Sequence, residues 1–153
     1  MKIAIGSDHN AFELKEELRT YMIDKGFEVV DYGCYSCEAV DYPDVSFRVG
    51  NDIKTGIVDR GVLVCGTGIG VAIAAGKVPG IRAALCHDTY SAERAQLSNN
   101  AQIITMGAKI IGSEVAKKVL EAYLNVQFEG GASARKIQQI SDQEEAYLKQ
   151  ESR

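Results

Sequence analysis

A three-layer α/β/α sandwich around a five-stranded parallel sheet is the fold class this sequence predicts, and three observations predict it. Short apolar runs alternate with longer amphipathic stretches from one end of the chain to the other. The central runs are continuously apolar rather than alternating, as in Val62-Leu63-Val64, which is the pattern of strands buried on both faces. Tight glycine turns join strand to helix, most clearly at Cys65-Gly66-Thr67-Gly68-Ile69-Gly70. Together these describe a doubly wound, Rossmann-like sheet covered by helices on both faces. With 153 residues and 46% hydrophobic content, the chain suffices for one cored domain, spanning 1–153, and is too short for two.

The first strand, Lys2 to Gly6, starts almost at the first residue and ends in the polar Ser7-Asp8-His9-Asn10. An amphipathic helix over Ala11 to Lys25 leads to a second strand, Phe27 to Asp31. A polar loop then carries Cys34-Tyr35-Ser36-Cys37 to the turn Asp41-Tyr42-Pro43, and a helix follows over Asp44 to Thr55. The third strand, Gly61 to Cys65, runs into the glycine turn and a helix over Ile69 to Lys77. A fourth strand, Ile81 to Cys86, ends in His87-Asp88 before a helix over Thr89 to Leu97. Ser98-Asn99-Asn100 precedes the fifth strand, Gln102 to Met106, and Gly107-Ala108-Lys109 follows it. A helix over Ser113 to Val126 comes next, and Glu129-Gly130-Gly131 should swing the last helix, from about Ser133 to Gln150, away from the body. Ile137, Ile140, Tyr147 and Leu148 give that helix an apolar face in need of a surface, which a partner subunit would supply.

Composition excludes several function classes. The net charge is −4 and the 17 Lys and Arg are scattered, so nothing resembles the basic footprint of a nucleic-acid binder. No segment has the length and hydropathy of a membrane span or a secretory leader, so a soluble, cytoplasmic protein with no membrane contact is expected. The four cysteines include one C-x-x-C pair, Cys34 and Cys37, but no second pair or paired histidines complete a metal set. They read as reduced loop cysteines, and no metal or cofactor is expected.

The chemistry concentrates after the third strand. Alternating glycines let backbone N–H groups converge on one point, and the helix start adds its positive dipole end, so the loop suits an anion or a developing oxyanion. Cys65 stands at the rim, where a helix N-terminus favours thiolate over thiol. The same segment also fits a buried strand-end cysteine beside a turn that needs glycine for packing. Ligands in such sheets bind at the carboxyl ends of the strands, and both histidines of the chain, His9 and His87, fall at strand ends.

In order along the chain, Asp8-His9, Asp41-Tyr42-Pro43, Cys65 to Gly70, Lys77-Val78-Pro79-Gly80-Ile81-Arg82-Ala83, Asn99 and Gly130-Gly131 resemble the ribose-5-phosphate isomerase B family, which includes the galactose-6-phosphate isomerase subunits. The resemblance covers essentially the whole chain. It implies a metal-free aldose–ketose isomerase acting on a sugar phosphate of the ribose 5-phosphate/ribulose 5-phosphate type, assembled as a homodimer, or a tetramer, with sites built from two subunits. Carried over residue by residue, Cys65 would be the base moving a proton between C1 and C2, and Thr67 would help shuttle the hydroxyl proton. The amides of Gly66, Gly68, Ile69 and Gly70 would hold the enediolate oxygen. Asp8, Tyr42 and Asn99 would contact the sugar, and His9 would lie near the phosphate.

Where many relatives carry a ring-opening histidine just before the Asn99 position, this chain has Ser98; where relatives carry phosphate-binding arginines, it has Lys109, Ala132 and Lys136, with Arg135 one position away. A lysine binds phosphate as a point charge, without the fork of arginine. His87 is then the candidate for ring opening, and a tetrose 4-phosphate or a hexose 6-phosphate stands as the alternative substrate. A non-catalytic sugar-phosphate-binding module has the same pocket without turnover. A dinucleotide loop is disfavoured because Val71 occupies the third glycine position, and a cysteine phosphatase because no arginine follows Cys65 before Arg82.

Overall fold

Strands β1 (Lys2–Ser7), β2 (Glu28–Asp31), β3 (Arg60–Cys65), β4 (Ala83–Leu85) and β5 (Ile103–Gly107) form one parallel sheet in the order β2-β1-β3-β5-β4. They alternate with helices α1 (Phe12–Asp24), α2 (Tyr42–Lys54), α3 (Ile69–Gly76), α4 (Thr89–Leu97), α5 (Ser113–Leu124) and α6 (Ala132–Glu151). The structure is a computed structural model that describes residues 1–151.

The continuous apolar strands are buried on both faces, as their composition requires. Every residue of β3 and of β5 is buried. On one face Ile3, Ile5, Val62, Val64, Ile104 and Met106 pack against Leu14, Leu18 and Met22 of α1 and against residues of α4 and α5. On the other, Ala4, Leu63, Cys65 and Ile103 meet Val45 and Val49 of α2 and Val71 and Ala75 of α3. The i, i+4 spacing of Leu14, Leu18 and Met22 and of Val45 and Val49 aims each helix stripe at the sheet.

Three differences from the sequence-based boundaries have local causes. Helix α2 begins at Tyr42, because Pro43 is preset for the first helical turn. Only Ala83–Leu85 of the fourth run joins the ladder, since the Arg82 N–H is taken by the Gln102 side chain at 2.8 Å. A short 3-10 turn, His9–Ala11, precedes α1 and is capped by Asp8, whose carboxylate accepts the Asn10 N–H at 3.0 Å.

Helix α6 follows Gly130 and Gly131, both with positive φ. Ile137 is buried and the Gly80 N–H donates to Glu144 Oε1 at 2.7 Å, while Ile140 and Tyr147 stay exposed. No helix among the described residues is long and apolar enough to cross a membrane.

Candidate active site

In this sheet β1 lies between β2 and β3, so the chain winds in opposite directions from the β1–β3 boundary, and the crevice beyond the carboxyl ends of those two strands is the expected ligand position. Cys65 ends β3 there, beside Asp8, whose N–H donates to Val64 O.

Cys65 is 5% exposed, and its Sγ accepts the Gly68 N–H at 3.1 Å. Gly68 sits at φ 78° as the N-cap of α3, and a Cβ there would meet Met106 and Leu85 at 2.7 Å or less. The Thr105 hydroxyl donates to Gly68 O at 2.8 Å and holds the turn from beneath. Thr67 Oγ1 accepts the Ile69 N–H at 3.2 Å, which leaves its own hydroxyl proton to donate. Of the first amides of α3, those of Gly68 and Ile69 are thus engaged; Gly70 and Val71 follow in the first turn, where an amide has no intrahelical acceptor. A buried thiol and a set of amide donors share one helix start.

Other expected residues frame this end. The aliphatic stem of Lys109 packs over Gly66, and the Lys109 N–H donates to Gly66 O at 3.0 Å. The Tyr42 ring lies against Gly70, where a Cβ would stand 2.2 Å from Cε1. His9 Nδ1 lies 3.2 Å from Val40 N and 3.3 Å from Val40 O, which ties the imidazole to the backbone of that loop in either tautomer. The loop carrying Val40 is pinned by a residue the sequence did not single out. Lys15, fully buried, donates to Asp31 at 2.9 Å and to Cys34 O at 2.7 Å. A charged residue on the apolar side of α1 was the available signal.

His87 stands at the expected strand end, with a specific attachment. Its Nε2 accepts the Gly107 N–H at 2.9 Å, and Gly107 itself presses on Thr67, where a Cβ would lie 2.5 Å from the backbone. A neutral ring that accepts at Nε2 carries its proton on Nδ1, and protonating Nε2 would break the Gly107 bond. Asp88, beside it, is an N-cap: it accepts the Ser91 N–H at 2.7 Å, which holds its carboxyl below the usual range.

Asn99, Arg135 and Lys136 lie elsewhere. In the β3–β5 ladder Cys65 pairs with Gly107, whereas Gly61 pairs with Ile103 and donates to Gln102 O. The Ser98 to Ala101 turn therefore belongs to the starting end of the strands, on the order of 13 Å or more of strand from Cys65 at ~3.3 Å per residue. The segment leading to Arg135 and Lys136 is tied to that same end, because the Phe128 N–H donates to Gln96 Oε1 at 2.9 Å and Arg60 donates to Val126 O at 2.8 Å. Within one chain the predicted residues thus form two groups at opposite ends of the sheet. Cys34 and Cys37 join neither; Cys34 is buried, Cys37 is exposed and both thiols are free. Among the described residues no group of three or more His, Cys, Asp or Glu is placed to hold a metal ion.

The profile of the ribose/galactose isomerase family matches residues 3–140. The chain belongs to this family. It is 51% identical over 141 residues to the D-erythrulose-4-phosphate isomerase of Pectobacterium atrosepticum, covering 92% of this chain and 93% of the relative. It is 49% identical over 137 residues to the ribose-5-P isomerase B of Listeria innocua, covering 90% and 93%. The solved ribose-5-phosphate isomerase B of Clostridium thermocellum matches it with a TM-score of 0.94 at 41% identity, covering 96% of this chain and 99% of that one. This isomerase therefore has the fold of the family and the sugar-phosphate aldose–ketose chemistry its relatives share.

Proposed function

We propose that this isomerase interconverts a tetrose 4-phosphate with its ketose, in a homodimer whose sites take residues from both subunits. The observation that carries the substrate reading is the attachment of His87, the candidate ring opener. His87 Nε2 is spent on the Gly107 amide, and Ser98 stands where many relatives carry a histidine. Pentose and hexose phosphates rest as closed rings that must be protonated and opened. A tetrose 4-phosphate cannot close a furanose, because its terminal oxygen is esterified. The Pectobacterium relative named for D-erythrulose 4-phosphate supports the same reading.

In the reaction Cys65 thiolate removes the proton from the carbon beside the carbonyl, and the electron pair moves onto the carbonyl oxygen to give an enediolate. The first-turn amides of Gly70 and Val71, which have no intrahelical acceptor, meet that negative charge, with the α3 dipole behind them. Thr67 donates its hydroxyl proton to one enediolate oxygen and recovers a proton from the other. Cys65 then returns its proton to the neighbouring carbon, so no outside reactant is consumed. Asp8 and Tyr42 hold the sugar, while Lys109 and His9 face the phosphate end. Asn99, Arg135 and Lys136 come from the second subunit.

Dimerisation is supported by the split of the site between the two sheet ends and by exposed apolar side chains near both. Ile69 and Ile73 on α3 are 51% and 61% exposed, and Ile140 and Tyr147 line a groove of about 720 Å³ along α6. The cytoplasm, where free thiols stay reduced, suits a chain with four of them.

A second reading, ribose 5-phosphate as substrate, is favoured by the Listeria relative and by the Nδ1–H that His87 retains. The deciding experiment measures kcat/KM on D-erythrulose 4-phosphate and on ribose 5-phosphate, for the wild type and for His87→Ala. Higher efficiency on the tetrose, with one common fold-loss in the variant, supports the first reading. A loss confined to ribose 5-phosphate installs the second.

A further inference from the structure

The motif Lys77 to Ala83 has no part in the chemistry above, yet its Arg82 touches the turn that carries Asn99. Asn100 is the one non-glycine residue with positive φ among the described residues, at 48°. Left-handed backbone is tolerated by asparagine but is not its lowest state, so something must hold it there. Three side chains, from α4, from α5 and from the segment just before β4, converge on the carbonyls of the two residues that follow Asn99. Arg82 Nε donates to Asn100 O at 3.0 Å, Gln96 Nε2 donates to Ala101 O at 3.0 Å and the Tyr123 hydroxyl donates to Ala101 O at 2.6 Å.

Gln96 and Tyr123 are 4% and 0% exposed and belong to the core. Arg82 is half-buried and acts on the left-handed residue itself. Its own backbone is fixed, since Gln102 accepts its N–H at 2.8 Å and donates to Gly80 O at 2.8 Å. No carboxylate oxygen lies within ion-pair distance of its guanidinium among the described residues, and burial draws its pKa down. Glu144 attracts that charge from a longer range and Nη1 makes a long bond of 3.4 Å to Gly80 O, so the Asn100 carbonyl at 3.0 Å is its shortest contact.

We propose that Arg82 is a positioning residue for the active site of the other subunit: by holding the Asn100 carbonyl it keeps the turn left-handed and presents Asn99 to the partner's substrate. The inference rests on the shared-site reading above and adds to it a residue that touches no substrate. Because the chemistry stays with the partner's Cys65 loop, losing Arg82 weakens the grip on substrate more than it slows proton transfer. Because Asn100 is the strained link, replacing it with glycine, which adopts positive φ freely, relieves the need for the clamp.

The test measures kcat and KM with D-erythrulose 4-phosphate and with ribose 5-phosphate for Arg82→Ala, Arg82→Lys, Asn99→Ala and Arg82→Ala/Asn100→Gly. Each single variant is also co-expressed with Cys65→Ala under a second tag, and the mixed dimer is purified. Arg82→Ala should raise KM about 3- to 10-fold, the range a net hydrogen bond spans, with kcat changed less. Arg82→Lys should lie between it and the wild type, and the Asn100→Gly double variant should recover most of the loss. In the mixed dimers one site joins an intact Cys65 loop to an intact Asn99 turn, so both Asn99→Ala and Arg82→Ala should return to wild-type KM. An unchanged KM in Arg82→Ala, no rescue by Asn100→Gly, or a KM that stays raised in the Arg82→Ala mixed dimer while the Asn99→Ala one recovers overturns the inference alone. If Asn99→Ala leaves KM unchanged or fails to recover in its mixed dimer, the shared-site reading falls and takes this inference with it.

Discussion

The two ends of the sheet are built by different means. At the carboxyl end the candidate functional groups are largely backbone: amides at the start of α3, a turn that only glycine permits at Gly68, and side chains fastened to main-chain atoms, such as His9 on Val40 and His87 on Gly107. At the starting end, long side chains reach across elements to hold carbonyls, as Arg82, Gln96, Tyr123 and Arg60 do. A site that must meet a developing charge without moving is best made of fixed dipoles. On the proposed dimer, an edge that meets another subunit is better made of adjustable clamps around a turn. The comparison predicts that damage to the carboxyl end lowers kcat, whereas damage to the starting end raises KM or breaks assembly.

The largest effect is expected at Cys65. Cys65→Ala should lower kcat by at least ~10²–10⁴-fold with an unaltered circular dichroism spectrum, and Cys65→Ser should be severely impaired because a hydroxyl ionises far less readily than a thiol. Near-normal turnover in both variants would move the base elsewhere and dissolve the distinction between the two ends.

Truncation after Gln127 attacks the other end. It removes α6 with Arg135 and Lys136 while sparing all of the Cys65 loop. Light scattering should show a monomer, and turnover should be lost although Cys65 remains. An active truncated dimer would show that the starting end adds nothing to the site.

A smaller effect should sharpen the distinction within the carboxyl end. His87→Gln can keep an acceptor for the Gly107 N–H, whereas His87→Ala cannot. If His87 positions Gly107 and Thr67 rather than moving protons, Gln should lie within a few fold of the wild type and Ala should lose about 10-fold, on both substrates alike. A glutamine variant as damaged as the alanine one would restore a proton-transfer role to the imidazole.

How much of this was legible in the sequence depended on which interactions are local. The strands and helices read well because burial on both faces leaves an uninterrupted apolar signature, as in Val62-Leu63-Val64, and the Cys65 to Gly70 turn read well because glycine spacing is itself the geometry. The position of Asn99 read less well. It is adjacent in sequence to a strand, like Asp8 and Lys109, but it precedes β5 instead of following it, and in a parallel sheet that puts it at the far end. The clamps were not legible at all. Arg82, Gln96 and Tyr123 meet the same turn from positions separated by 14 and 27 residues along the chain, and no local pattern marks a residue whose partner is a distant carbonyl. Lys15 did leave a local trace, a charge on the apolar side of α1, but its partner Asp31 across the β2 edge was not legible.

The smallest predicted effect separates the two cysteines at strand ends. Cys86 follows β4 much as Cys65 ends β3, and it is 3% exposed, yet it packs into the apolar cluster with Ala92 and Ala95. Burial pushes its thiol up to about 11, with Asp88 adding to the shift, so at neutral pH it carries no thiolate. Cys86→Ala should therefore leave kcat unchanged and cost roughly 1 kcal/mol of stability in a denaturant titration at pH 7. The folded protein resists ionising this thiol more than the unfolded chain does, so its contribution is whole below about pH 9, the ordinary thiol value, and is lost as pH rises through about 11. Tyr21 and Tyr32, both raised to about 12, weaken wild type and variant alike in that range. The difference between the two proteins should consequently shrink and then change sign as the pH climbs from about 9 to about 11. A difference that stays constant would mean that Cys86 is not the group burial protects, and a fall in kcat would mean that the second strand-end cysteine belongs to the chemistry after all.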